Sequence, residues 1–178
     1  MTRLGAIVQQ ALDHLEWQDE ISLDARAGTS QVRTEVHIDD QLCGLYIDTH
    51  EATDTIAVFF YLPFRVLADG YAEACQFINA VNSRTRHGHL EILRDNGRVR
   101  MVVSADVEGA APTGAFVVKM LHLGVNTLDN WMSALAAVAV TGRPAAEILA
   151  AAARAEAAEA QTEAGAHVIG PATTRTRH

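Results

Sequence analysis

Lysine is all but absent from this chain. Lys119 is the only one in 178 residues, so positive charge is carried by arginine. Basic charge as a whole is short, with 14 Lys and Arg against 22 Asp and Glu, and the formal net charge is −8. Residues 143–178 hold equal numbers of Arg and Glu, so the whole acidic surplus lies in residues 1–142. An acidic body argues against nucleic acid as a partner, because meeting a phosphate backbone requires a basic stripe. Cysteine is scarce too, and two thiols make no disulfide framework. Cys43 and Cys75 both stand among apolar neighbours, so both are expected to be buried. Long apolar runs are also missing. Ala134–Val140 is far short of the ~20 residues a spanning helix needs, so no membrane insertion is expected. Met1–Leu15 has a broken apolar pattern unlike a secretory signal, and a cytoplasmic location is expected.

Catalytic signatures are absent as well. There is no Gly-x-Ser-x-Gly elbow, no Gly-x-Gly-x-x-Gly and no phosphate-binding loop. His87-Gly88-His89 is the one close histidine pair, but a metal site needs three or four convergent ligands and nothing nearby completes it. The acidic turns at Asp39-Asp40 and Asp48/Glu51/Asp54 lack calcium-loop spacing. No catalytic residue, cofactor or metal is assigned, and an enzyme is not expected.

What is present is periodicity. Leu4, Ile7, Val8, Ala11, Leu12 and Leu15 share one face of a first helix that Thr2 can cap, running to about Trp17. Residues 18–30 are polar and end in Ala-Gly-Thr-Ser, which reads as a connection. Gln31–Ile38 alternates cleanly, Leu42–Asp48 is a second strand, and Thr55–Leu62 a third that Pro63 should end. That third strand is apolar on both sides, which predicts a covering layer on both. A middle helix is expected over 68–81, with Tyr71, Ala74, Cys75, Ile78 and Val81 inward. His89–Arg94 and Arg98–Ala105 flank Asp95-Asn96-Gly97, a hairpin signal in which Asn and Gly both tolerate positive φ. Leu90, Ile92, Val99, Met101 and Val103 should face the core; Glu91, Arg98 and Arg100 should face water. A long helix then runs from Thr113 to about Val140, stopped by Gly142 and Pro144, with Gly124 marking a kink or close packing. The chain thus divides into an α+β domain over 1–142, an Ala-rich helical extension over 143–164 and a tail at 165–178 expected to be disordered.

Asn79 and Asn82 are poor helix-interior residues at the end of the middle helix. Asn82 is expected to close that helix and Asn79 to bond the following loop. The stretch Ala72–Leu93 holds Phe77-Ile78-Asn79-Ala80-Val81-Asn82, a short loop, a strand and a tight turn. It resembles the YbjN family of bacterial sensory transduction regulators, whose domains are similar in fold to type III secretion chaperones. The three earlier strands and the long helix ending in Val140-Thr141-Gly142 match as well, so the resemblance spans about 3–142. The Arg- and His-rich loop Ser83–His89 departs from the small or polar residues expected there. The resemblance implies a helix–three strands–helix–two strands–helix domain with an antiparallel sheet, commonly dimeric, that binds polypeptide and has no catalytic residues.

From these readings the expected function is a non-enzymatic protein-binding module, chaperone-like or regulatory, acting as a homodimer and engaging a further protein. Tyr46, Phe59, Tyr61, Leu93 and Val102 fall on the less regular face of the sheet and are the candidate interaction residues. Two coverings of that face are open: a second molecule, or the middle helix of the same chain through Tyr71 and Cys75. The alternative function is a small-ligand sensor, in which Arg84, Arg86 and His87 meet an anion.

Overall fold

Helix α1 (Arg3–His14) begins where the Thr2 hydroxyl accepts a hydrogen bond from the Gly5 N–H at 3.0 Å. That bond satisfies one of the backbone donors a helix start leaves unpaired. The computed structural model describes residues 1–166, with side chains to 155. The tail expected at 165–178 lies, from 167 on, outside the described residues. Strands β2 (Thr29–Ile38), β3 (Gln41–His50), β4 (Thr55–Arg65), β5 (His89–Ile92) and β6 (Arg98–Asp106) stand where alternation places them. Strand β1 (Ile21–Asp24) lies in the stretch read as a connection, which corrects that reading. It pairs antiparallel with β2 from Ile21–Val32 to Asp24–Thr29. Four residues, three of them exposed, leave no period-2 signature of their own; the edge of β2 recruits them. The sheet is antiparallel throughout, in the order β1-β2-β3-β4-β6-β5.

Turn chemistry sets the registers. Asp39 and Asp40 both take positive φ between Ile38 and its partner Gln41, the mirror-image turn whose twist suits a two-residue hairpin. The Asn-Gly hairpin is wider than expected. It is closed by the Gly97 N–H on the Leu93 carbonyl and by the Leu93 N–H on the Arg98 carbonyl, each at 2.8 Å, and Gly97 alone takes positive φ. A Cβ at Gly97 would stand 2.8 Å from the Val66 carbonyl oxygen, so this turn also packs on the end of β4. Pro63 does not end β4. It sits in a register irregularity between Tyr61 and Arg65, where the ladder needs no donor from it.

Helices α2 (Tyr71–Asn82) and α3 (Gly114–Thr141) join α1 on one side of the sheet. Leu4, Leu12, Phe77, Leu128, Leu135 and Val138 from the helices share one core with Leu45, Ile47, Ile56, Val58, Phe60 and Met101 from the strands. Gly124 lets α3 lie against β4, since a Cβ there would come within 2.1 Å of the Phe60 ring. Close packing is therefore the reason for this mid-helix glycine. Gly142, at φ +66, ends α3 with its N–H on the Val138 carbonyl. Helix α4 (Ala145–Ala166) docks by its first turns: Ala145 and Ile148 are buried, and the Glu73 carboxylate accepts from the Ala145 N–H at 2.7 Å.

Helix α2 turns inward the expected Ala74, Ile78 and Val81, with Tyr71 half-buried against the core, and departs from the expectation in having Phe77 inward and Cys75 outward. Phe77 meets Trp131 edge to face. Only Cys43 of the two thiols is buried. The large ring of Phe77 outweighs the small thiol in fixing which face turns in. The same rotation aims Asn82 at β5. Its side chain donates to the Leu90 carbonyl at 2.9 Å and accepts from the Leu90 N–H at 2.8 Å. Asn82, not Asn79, thus ties helix to strand. Asn79 is exposed, and Ser83, not an Asn, occupies the cap in a right-handed conformation.

Candidate protein-interaction face

Pleating sends alternate β4 side chains to opposite sides. Ile56, Val58, Phe60 and Leu62 enter the core; Ala57, Phe59 and Tyr61 point to the side that carries no helix. Register lines up the rest. Tyr46 lies opposite Phe59 on β3, and Val102 opposite Phe59 on β6, so three candidate residues form one cross-strand row. The next row runs from Gly44 through Tyr61 to Arg100. Tyr46 and Tyr61 meet edge to face with ring centroids 5.1 Å apart. Leu93 lies just past β5, its backbone paired with Arg98 at the corner of this face. The structure therefore brings four of the five candidates into two adjacent rows and places the fifth at the margin.

Helix α2 does not cover this surface. Tyr71 packs against the core on the other side of the sheet, and Cys75 points to solvent. Among the described residues, what lies over the aromatics is arginine. Arg98 stacks at 4.6 Å from the Tyr61 ring centre, Arg100 at 4.6 Å from that of Phe59, and Arg33 at 5.3 Å from that of Tyr46. Each such contact stabilises by ~0.5–1 kcal/mol when exposed and more when dried. Arg100 donates to the Tyr61 hydroxyl at 2.9 Å and to the Glu91 carboxylate. Partial burial opposes its charge, but the hydrogen bonds to Glu91 and Tyr61 and the attraction of both groups outweigh that and raise its pKa. Arg98 and Arg100 point, as expected, to the side away from the core, where both lie over the aromatic rings and Arg100 pairs with Glu91 across the strands. The signal for them is parity: Arg33, Arg98 and Arg100 stand at the same alternation as the aromatics.

At Gly44 the missing side chain leaves a depression of about 200 Å³, walled by Tyr46, Tyr61, Arg33 and Arg98. Near the rings, Arg33, Arg98 and Arg100 are matched by Glu35, Asp48 and Glu91, so the patch is close to neutral on a strongly acidic body. Arg84, Arg86 and His87 lie elsewhere, on the loop from α2 to β5 beside α3. Among the described residues no group of three His, Cys, Asp or Glu side chains could hold a metal ion. Among the same residues no helix is long and apolar enough to cross a membrane.

A sequence profile described as "Putative bacterial sensory transduction regulator", that of YbjN, matches residues 5–137. Solved structures with a similar chain include the HopA1-SchA chaperone-effector complex, at 14% identity and a TM-score of 0.46, covering 72% of this chain and 91% of that one. The crystal structure of YbjN from E. coli is similar at 16% identity and a TM-score of 0.48, covering 73% and 91% respectively. No curated protein matches the sequence.

Proposed function

Since this chain belongs to the YbjN family of sensory transduction regulators, we propose that it is a non-enzymatic protein-binding module of the cytoplasm, chaperone-like or regulatory, that works as a homodimer. The seam is the helix-free face of the sheet, built on Tyr46, Phe59, Tyr61, Val102 and, at its margin, Leu93. One observation carries the reading: β4 is apolar on both sides, yet the described chain lays helices on only one. Tyr, Phe and Arg are enriched at interfaces: the two aromatics remove large areas from water with few rotors to freeze, and Arg adds a planar cation that stacks on rings and donates several hydrogen bonds. The local balance of Arg against acidic residues lets two copies of an acidic protein meet here without repulsion. A stable seam of this kind buries roughly 1,200–2,000 Å² in total. A polypeptide partner then engages the assembled dimer.

The test is light scattering coupled to gel filtration on wild type, Phe59→Asp and Tyr61→Asp. Both positions are half-buried and outside the core. The expected result is a dimeric wild type and monomeric variants with unchanged circular dichroism. A wild type that stays monomeric at high micromolar concentration would refute the dimer.

A further inference from the structure

Strand β5 is short, and its pairing with β6 runs only from Ile92–Val99 to His89–Val102. Beyond it, Val103–Asp106 of β6 have a neighbour only on the β4 side. The open edge lies beside α3, and between them is a groove of about 350 Å³. Its apolar wall is Val103, Ala105, Phe116, Met120 and Leu123. The three helical residues recur at spacings of four and three, so they belong to one stripe of α3. Arg86, His87 and Lys119 stand at the same groove. A second depression of about 210 Å³, lined by Arg84, Asn126, Asn130 and Trp131, shares Arg86, His87 and Leu123 with the first.

The loop that carries the basic groups is held in place. Gly88, at φ +83, lets it pass against β6, for a Cβ there would stand 2.4 Å from the Val102 carbonyl oxygen. The Thr85 hydroxyl donates to the Val81 carbonyl at 3.0 Å, and Arg84 stacks 5.7 Å from the centre of the Trp131 ring. No acidic side chain lines either depression, although the chain has 22 Asp and Glu. Among the described residues Arg84, Arg86 and Lys119 have no acidic partner within salt-bridge distance. The chain's only lysine is one of them.

We propose that the groove between α3 and the open edge of β6 binds a small amphipathic anion. The anionic head, a carboxylate or a phosphate, sits at Arg86, His87 and Lys119 where the two depressions meet. The apolar body lies along Phe116, Met120 and Leu123. The volume falls in the range of small-molecule sites, and the lining has their usual form, an apolar wall with a few converging polar groups. The site is on the helix side of the sheet, so it stands independently of the proposed dimer seam.

Isothermal titration of the full chain with octanoate, octyl phosphate, 1-octanol and inorganic phosphate tests this. At least one of the two amphipathic anions should bind; octanol and inorganic phosphate should each bind about tenfold or more weaker. Which head group is preferred separates a carboxylate from a phosphate ligand. Arg86→Glu/Lys119→Glu should weaken binding about tenfold or more, while Arg26→Glu/Arg94→Glu, the same charge change at exposed sites away from the groove, should leave it intact. Methyl resonances of Met120 and Leu123 should shift on titration. No binding of either anion at millimolar concentration, octanol binding as well as the anions, inorganic phosphate binding as well as octyl phosphate, equal effects of the two double variants, or shifts confined to other methyls would each overturn the proposal.

Discussion

Single residues here are set by rotation and burial. The two thiols share a chemistry and part company in environment. Burial pushes Cys43 up to about 11 from the ordinary 9.0, while Cys75 is exposed on α2. A disulfide reagent in excess at about pH 8 should therefore modify one thiol in the folded protein and two after denaturation, with Cys75 identified by peptide mass. The sign of the pH effect follows. Below pH 9 the thiol is protonated in both folded and unfolded chains. Between 9 and about 11 only the unfolded chain ionises, so Cys43 contributes a loss of stability as pH rises through that window. Asn82 makes a reciprocal pair of hydrogen bonds with the Leu90 backbone. Asn82→Ala leaves one partly buried donor and one acceptor unmet, and urea unfolding should show a loss of about 1–3 kcal/mol. Asn79→Ala, at an exposed position, should stay within about 0.5 kcal/mol of wild type. The Asn-x-x-Asn pattern announced a helix-end role, but which of the two plays it depends on the phase of α2, and Phe77 sets that phase against Trp131.

Elements are held by a few close approaches between residues far apart in the chain. Gly124 is the sharpest of them. By helix propensity alone Gly124→Ala should stabilise α3 by up to ~1 kcal/mol. The Phe60 ring occupies the space a methyl would need, so the substitution should instead destabilise by about 1–3 kcal/mol in thermal or urea unfolding. A paired Phe60→Leu change should recover part of that loss, because the leucine leaves room for the methyl. Strands β2, β3 and β6 were legible from their alternation, β4 as a short apolar run bounded by turn residues, and β5 because its hairpin signal supports it. Strand β1 was not, since four largely exposed residues become a strand only by pairing with β2. Continuation of β4 past Pro63 was equally invisible, because a bulge that removes the need for a donor is a property of two strands together.

For the molecule as a whole, the asymmetry of the sheet decides behaviour. Three helices cover one side, and aromatic rings under arginine make the other. If that second face is the dimer seam, folding is linked to association, and the thermal midpoint should rise with protein concentration for wild type but not for Tyr61→Asp. Differential scanning calorimetry over a hundredfold dilution series checks this. Much of the molecule follows from order along the chain. The periods of Leu4–Leu12, Val32–Ile38, Ile56–Leu62 and Phe116–Val138 determined which segments are helices or strands and which side of each is apolar, because such periods report burial within one segment. Parity likewise put Tyr46, Phe59, Tyr61 and Val102 on one surface. Tertiary structure alone decided that α2 lies on the helix side and leaves that surface to arginine, that Gly44 opens a socket between two tyrosines, and that Arg86 and His87 lie beside Lys119. Tyr61 and Arg98 are 37 residues apart, and Arg86 and Lys119 are 33 apart, and a local period carries no information about which distant segment arrives beside it; packing of the core, Phe77 on Trp131 and Phe60 on Gly124, chooses them.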